Sequence, residues 1–189
     1  MTDSLHNNVA TYPVGILAGT ALVNADLAIP DDARGVVLFA HGSGSSRFSR
    51  RNRAVAAALQ AAGFATILVD LLTPREEAED VQTGRHRFDI ELLASRVAAA
   101  AEWLAHDSRT RTLPIGYFGA STGAAAALVA AARRQGACRR SSRVAVAPIS
   151  PVRYLGRCVR RPCSSLAATI PRFCSSIVSR SAISAARAR

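Results

Sequence analysis

The chain has 189 residues, 49% of them hydrophobic, with 24 arginines, no lysine and 13 acidic residues, for a formal net charge of +11. That length and apolar content allow one sizeable core but hardly two, and no apolar run is long enough to span a bilayer. The charge is segregated: residues 1–132 carry a net −2, whereas residues 133–189 carry +13 and no acid at all.

In chain order, Tyr12 to Ala18 and Ala21 to Ile29 read as two early strands joined at Gly19, closed by the turn Pro30-Asp-Asp-Ala-Arg-Gly35. Val36 to Ala40 is a continuous apolar run, the pattern of a parallel strand covered on both faces. Asn52 is placed to cap a helix over Arg53 to Ala62, with Val55, Ala58, Leu59 and Ala62 on one stripe and Gly63 as the stop. Phe64 to Val69 is the next strand. The acidic run Glu76, Glu77, Glu79 and Asp80 reads as a solvated surface. A longer helix over Phe88 to His106 aligns Ile90, Leu93, Val97, Ala101 and Leu104, which makes Trp103 a packing residue. Leu113 to Gly119 is a further strand, leading into an alanine-rich helix. Alternating strands and helices predict a doubly wound, mostly parallel α/β sheet.

Two segments carry chemistry. Gly119-Ala120-Ser121-Thr122-Gly123 is G-x-S-x-G between a strand and a helix, the context of a nucleophile elbow, with an ordinary βα turn as the plain alternative. A hydroxyl perched on a sharp turn is exposed to attack a carbonyl, and flanking glycines let backbones approach closely. The second segment, His41-Gly42-Ser43-Gly44-Ser45-Ser46, ends the 36–40 strand in a donor-rich loop. A tetrahedral intermediate needs two N–H groups aimed at one oxygen, worth about 3 to 4 kcal/mol for one donor. Thr122 is assigned one and the Ser43 or Gly44 region the other. His41 reads as orienting this loop rather than acting as a base. Asp70, at a strand end, reads as a turn residue or as a polar wall of the pocket. With Arg47, Arg50, Arg51 and Arg53 the same loop admits a phosphate-cradle reading, although no G-x-x-x-x-G-K-[ST] is present. His86 and His106 lie outside these motifs.

With Ile67-Leu-Val-Asp70-Leu-Leu-Thr-Pro74, these segments resemble the α/β-hydrolase superfamily and, within it, the dienelactone hydrolase-like branch, from about Tyr12 to Ala132. The branch's founding enzymes place a cysteine where Ser121 stands. The resemblance implies cleavage of a small-molecule ester or lactone by a Ser-Asp-His triad, with acid and histidine both following the serine. It implies no cofactor and no metal.

This chain departs from that order: no Asp or Glu follows Asp107 and no His follows His106. A serine without a base is a weak nucleophile, so impaired or absent activity is expected. The domain division follows: residues 1–135 as the first part of a hydrolase domain, and residues 136–189 as a basic Arg/Ser/Cys-rich tail, poorly ordered. An arginine-rich segment without carboxylates is what GC-rich codons yield out of frame. We read it as a frameshift near Gln135 or a degenerate gene, a reading that the nucleotide sequence tests directly.

The alternative is a non-catalytic α/β domain whose basic tail binds a polyanion, nucleic acid or an anionic membrane. Against it, the tail has two aromatics, Tyr154 and Phe173, and no zinc-finger spacing. Its cysteines (Cys138, Cys158, Cys163, Cys174) lack C-x-x-C spacing and a histidine partner, which argues against a zinc site. The first residues show no basic n-region or apolar h-region, so the expectation is a cytoplasmic protein with reduced thiols. Oligomeric state is left open.

Overall fold

The sheet starts with a hairpin. In a computed structural model, which describes residues 8–137, β1 (Val9–Ala18) and β2 (Ala21–Pro30) pair antiparallel from Val9↔Pro30 to Ala18↔Ala21, turning at Gly19 with φ +65°. The first strand starts three residues before the expected Tyr12. Residues Val9 to Thr11 gain their ladder from Ala28 to Pro30, a partner that local pattern does not show.

β3 (Val36–Ala40), β4 (Ala65–Val69) and β5 (Ile115–Gly119) complete a five-stranded sheet of order β1-β2-β4-β3-β5. β3 pairs parallel with β4 and β5, while β2 pairs antiparallel with β4, so the sheet is mixed. The helices are α1 (Arg50–Ala61), α2 (Pro74–Thr83), α3 (Ile90–His106) and α4 (Thr122–Ala137).

Period-two alternation sends β3 and β5 side chains to two covered faces. Leu38 and Tyr117 join Leu27, Ile67 and Val69 under α3 and α4. Phe39 and Phe118, ring centroids 4.7 Å apart, join Leu68 under Ala56, Val55 and Leu59 of α1. The expected α3 stripe holds, with Leu93, Val97, Ala101 and Leu104 buried and Ile90 packed at its edge. Alanines at 126, 127, 130 and 131 are buried in the same core, and side chains this small let α4 lie close to its neighbours.

Two helix starts differ from the sequence reading, each for a capping reason. Ser49, not Asn52, caps α1: its hydroxyl accepts the Asn52 N–H at 3.3 Å, and Asn52 is buried in the first turn. Gly63, at φ +77°, does stop that helix, in a Schellman arrangement with Gly63 N–H on Gln60 and Phe64 N–H on Leu59. Asp89 caps α3 by accepting the Leu92 N–H at 2.9 Å, so Phe88 lies outside the helix.

The acidic run is not all solvated surface. Thr73 and Glu76 form a reciprocal capping box at the start of α2, with Pro74 at its first position. Arg96, buried on α3, donates to Glu76 Oε1 at 2.8 Å and to the Ala18 carbonyl at 2.6 Å. Asp80 is only 4% exposed. The chain turns back through Gly84, so that the N–H groups of His86 and Arg87 reach Asp80 at 2.7 and 2.9 Å, joined by Arg87 Nε at 2.6 Å.

These carboxylates make the fold acid-sensitive. Burial pushes Glu76 and Asp80 up, but the Thr73 N–H and Arg96 charge on the first, and the Arg87 and His86 donors on the second, outweigh it and hold both below the ordinary range. Hydrogen bonds from Arg109, against a smaller effect of burial, do the same for Asp107. A folded-state value below the unfolded one gives stability that is complete above the ordinary carboxylate range and is lost as pH falls through the folded values. Tm is therefore expected to hold between about pH 7 and 5 and to fall below about pH 4. In Glu76→Gln the fall should be shallower, and an unchanged slope in a thermal-melt series would count against this assignment.

Candidate active site

Ser121 stands at φ +52°, the only non-glycine at positive φ among the described residues, and it is exposed. A serine there is strained by roughly 1–3 kcal/mol, and such backbone persists only when its surroundings impose it. Those surroundings are visible. A Cβ on Gly123 would lie 2.2 Å from the His41 carbonyl oxygen and 2.3 Å from that of Ala40. One on Gly119 would lie 2.6 Å from Ala124 Cα and from the Gly123 oxygen. Both glycines of G-x-S-x-G are therefore required by backbone-to-backbone approach.

The loop after β3 lies directly against the elbow. A Cβ on Gly42 would meet the Ala120 oxygen at 3.0 Å and Ser121 Cβ at 3.3 Å, and Ala120 N–H donates to Ala40 at 3.3 Å. Backbone donors are then accounted for one by one. Gly123 N–H goes to Ala120, Ala124 and Ala125 go to Ser121, and Ser45 goes to Gly42. The N–H groups of Thr122, Ser43 and Gly44 have no hydrogen-bond acceptor among the described residues. Gly44 takes φ +67°, and Thr122 Oγ1 is buried without a partner among the described residues.

His41 is buried with both ring nitrogens engaged. Nε2 accepts the Leu71 N–H at 3.0 Å, which leaves the proton on Nδ1 to be donated to the Gly42 carbonyl at 2.9 Å. An imidazole so held braces the loop and has no lone pair free for a serine. Asp70 faces the same cleft, but its oxygens are taken by Arg47: the backbone N–H at 2.7 Å on Oδ1 and the guanidinium on Oδ2. Arg47 also stands 3.4 Å from Asp26 Oδ1, and Arg53 donates to Asp26 Oδ2 at 3.2 Å. Two of the four cations in the phosphate-cradle reading are thus committed to carboxylates.

An open cleft beside the elbow is lined by His41, Ser43, Gly44, Asp70 and Thr122 together with Asp80 and Arg87, and Ser121 itself is not among its lining residues. Sequence reading missed Asp80 and Arg87. An acid followed seven residues later by an arginine, across a glycine, was the available signal. The cleft does not draw in His86, whose ring lies 3.4 Å from Glu79, or His106, which is exposed on α3 with Nδ1 toward Glu102. No group of three or more metal-ligating side chains occurs among the described residues.

No family model matches the chain. A dienelactone hydrolase from Anabaena variabilis is 52% identical, with a TM-score of 0.68 over 74% of this chain and 62% of that one. The described part of the chain is similar to that dienelactone hydrolase in sequence and in fold. A carboxyl esterase from Bacillus coagulans superposes with a TM-score of 0.54 over 73% of this chain and 43% of that one, at 21% identity, which speaks for the fold alone. Two Mycobacterium tuberculosis proteins whose names propose a phosphoribosyl transferase are 58% identical over 119 residues, 63% of this chain. The chain spans about a quarter, 26%, of the length of those curated relatives. In this sheet the elbow closes β5 and the loop closes β3, the carboxyl ends of adjacent parallel strands, where open α/β sheets bind ligands. Residues 138–189 of the basic tail, with its four cysteines, lie outside the described residues.

Proposed function

We propose that this chain carries the nucleophile and oxyanion half of a serine acyl hydrolase acting on small esters or lactones. The observation that supports it most is Ser121 held at φ +52° with Gly42 of the facing loop packed on it, while the N–H groups of Thr122, Ser43 and Gly44 have no acceptor among the described residues. Ser121 Oγ attacks the carbonyl carbon, the carbonyl electrons move onto oxygen facing those donors, and collapse breaks the C–O bond to the alcohol, which takes a proton from solvent; water then attacks the acyl-enzyme by the same route and releases the acid and Ser121. The proton released by Ser121 passes to solvent, because no residue after it is a carboxylate or an imidazole. Catalysis is then limited to what an oxyanion hole and binding supply, about 10³ to 10⁴ over water. The setting proposed is cytoplasmic, with reduced cysteines and no cofactor. No described helix is long and apolar enough to cross a membrane.

A fluorophosphonate probe tests this, since attack forms an Oγ–P bond while fluoride and a proton leave. Slow labelling of the full chain that disappears in Ser121→Ala is the expected result, read by intact mass. Folded protein that stays unlabelled would favour a second reading, a non-catalytic domain whose +13 segment at residues 133–189 binds a polyanion.

A further inference from the structure

The loop that faces Ser121 is fastened at both ends to one dipeptide. At its start the His41 ring accepts the Leu71 N–H. At its end Arg47 donates its own N–H and its guanidinium to the Asp70 carboxylate, with Asp26 at 3.4 Å as a second anchor. Between these points lie Gly42, packed on Ser121, and the free N–H groups of Ser43 and Gly44. The two clasps differ in kind. His41 shapes the loop through neutral hydrogen bonds, whereas the Arg47 guanidinium gives Nη1 to Asp70 and turns Nε toward Asp26 at 3.4 Å, two directions that a single ammonium does not serve together. Arg47 is only 21% exposed and Asp70 15%, and its ring neighbour Phe48 lies 4.1 Å from the guanidinium carbon, so solvent does little to screen the pair.

We infer that Arg47 and Asp70 are positioning residues for the oxyanion loop: the clasp sets where the Ser43 and Gly44 N–H groups point. This rests on the hydrolase reading of Ser121. It gives Asp70 a role beyond lining the cleft, because both its oxygens accept from Arg47. Misdirected donors weaken transition-state stabilisation while leaving ground-state binding intact.

The test measures inactivation of the full chain by the fluorophosphonate, resolved into the maximal rate and the half-saturating concentration, for Arg47→Ala, Arg47→Lys and Asp70→Asn. The maximal rate should fall about tenfold or more in all three, with the half-saturating concentration unchanged. Added guanidinium at millimolar levels should restore part of the rate in Arg47→Ala and none in Ser121→Ala, which loss of fold stability alone does not produce. Amide exchange at Ser45, whose N–H is held by the Gly42 carbonyl, should quicken about tenfold in Arg47→Ala, with α3 unaffected. Wild-type rates in a folded Arg47→Ala, or unchanged exchange in the loop, overturn the inference. A silent wild type overturns the hydrolase reading instead, and the exchange data then decide whether Arg47 shapes the loop.

Discussion

Replacing Gly123 by alanine should cost about 3–5 kcal/mol, enough to leave much of the protein unfolded at 37 °C, because domains of this size hold only about 5–15 kcal/mol in all. The added methyl would sit 2.2 Å from the His41 oxygen and 2.3 Å from the Ala40 oxygen. Both obstacles are backbone, so neither can swing aside as a side-chain tip would. Relief requires α4 to lift from the end of β3, which opens the packing of Ala126, Ala127 and Ala130 at the same time. Urea denaturation of Gly123→Ala against wild type is the measurement. Gly44→Ala is the control: its φ is +67° but nothing lies within 4 Å of its added carbon, so it should cost no more than about 1 kcal/mol. Equal losses in the two would show that close approach is not what the elbow glycine provides.

Arg96→Leu is expected to lose about 3–5 kcal/mol, the usual cost of breaking a buried pair from one side. Arg96 is 5% exposed, and its guanidinium holds the Ala18 carbonyl on the first hairpin and Glu76 in the α2 capping box. Leucine preserves much of the volume, so the loss isolates the unpaired carbonyl and carboxylate. Pairing it with Glu76→Gln should recover part of the loss, since the remaining group is then neutral. A double variant no more stable than Arg96→Leu in the same melts would argue that Ala18, not Glu76, carries the interaction.

Much of the site could be read from residues alone, because its constraints are local. G-x-S-x-G between an apolar strand and an alanine run announces the turn, and the observed φ of Ser121 is that turn. Helix stripes were equally legible: Leu93, Val97, Ala101 and Leu104 recur at helical spacing and are buried together. What escaped depends on distant partners. Asp80 looks like one more surface acid until the chain returns through Gly84 to lay two N–H groups on it. Arg96 looks like an exposed helix cation until Ala18, 78 residues away, accepts from it. Ser49 and Asn52 are both good caps by type, and only the position where the helix begins chooses between them. Asp70 was visible as a strand-end carboxylate, but not its engagement by Arg47, because ion pairing across 23 residues has no sequence period.

The strained hinge at Ser121 also sets a conflict between stability and the hydroxyl it presents. Glycine would relax that backbone and remove the oxygen in one substitution, so the change that steadies the turn is the one that empties it of that polar group.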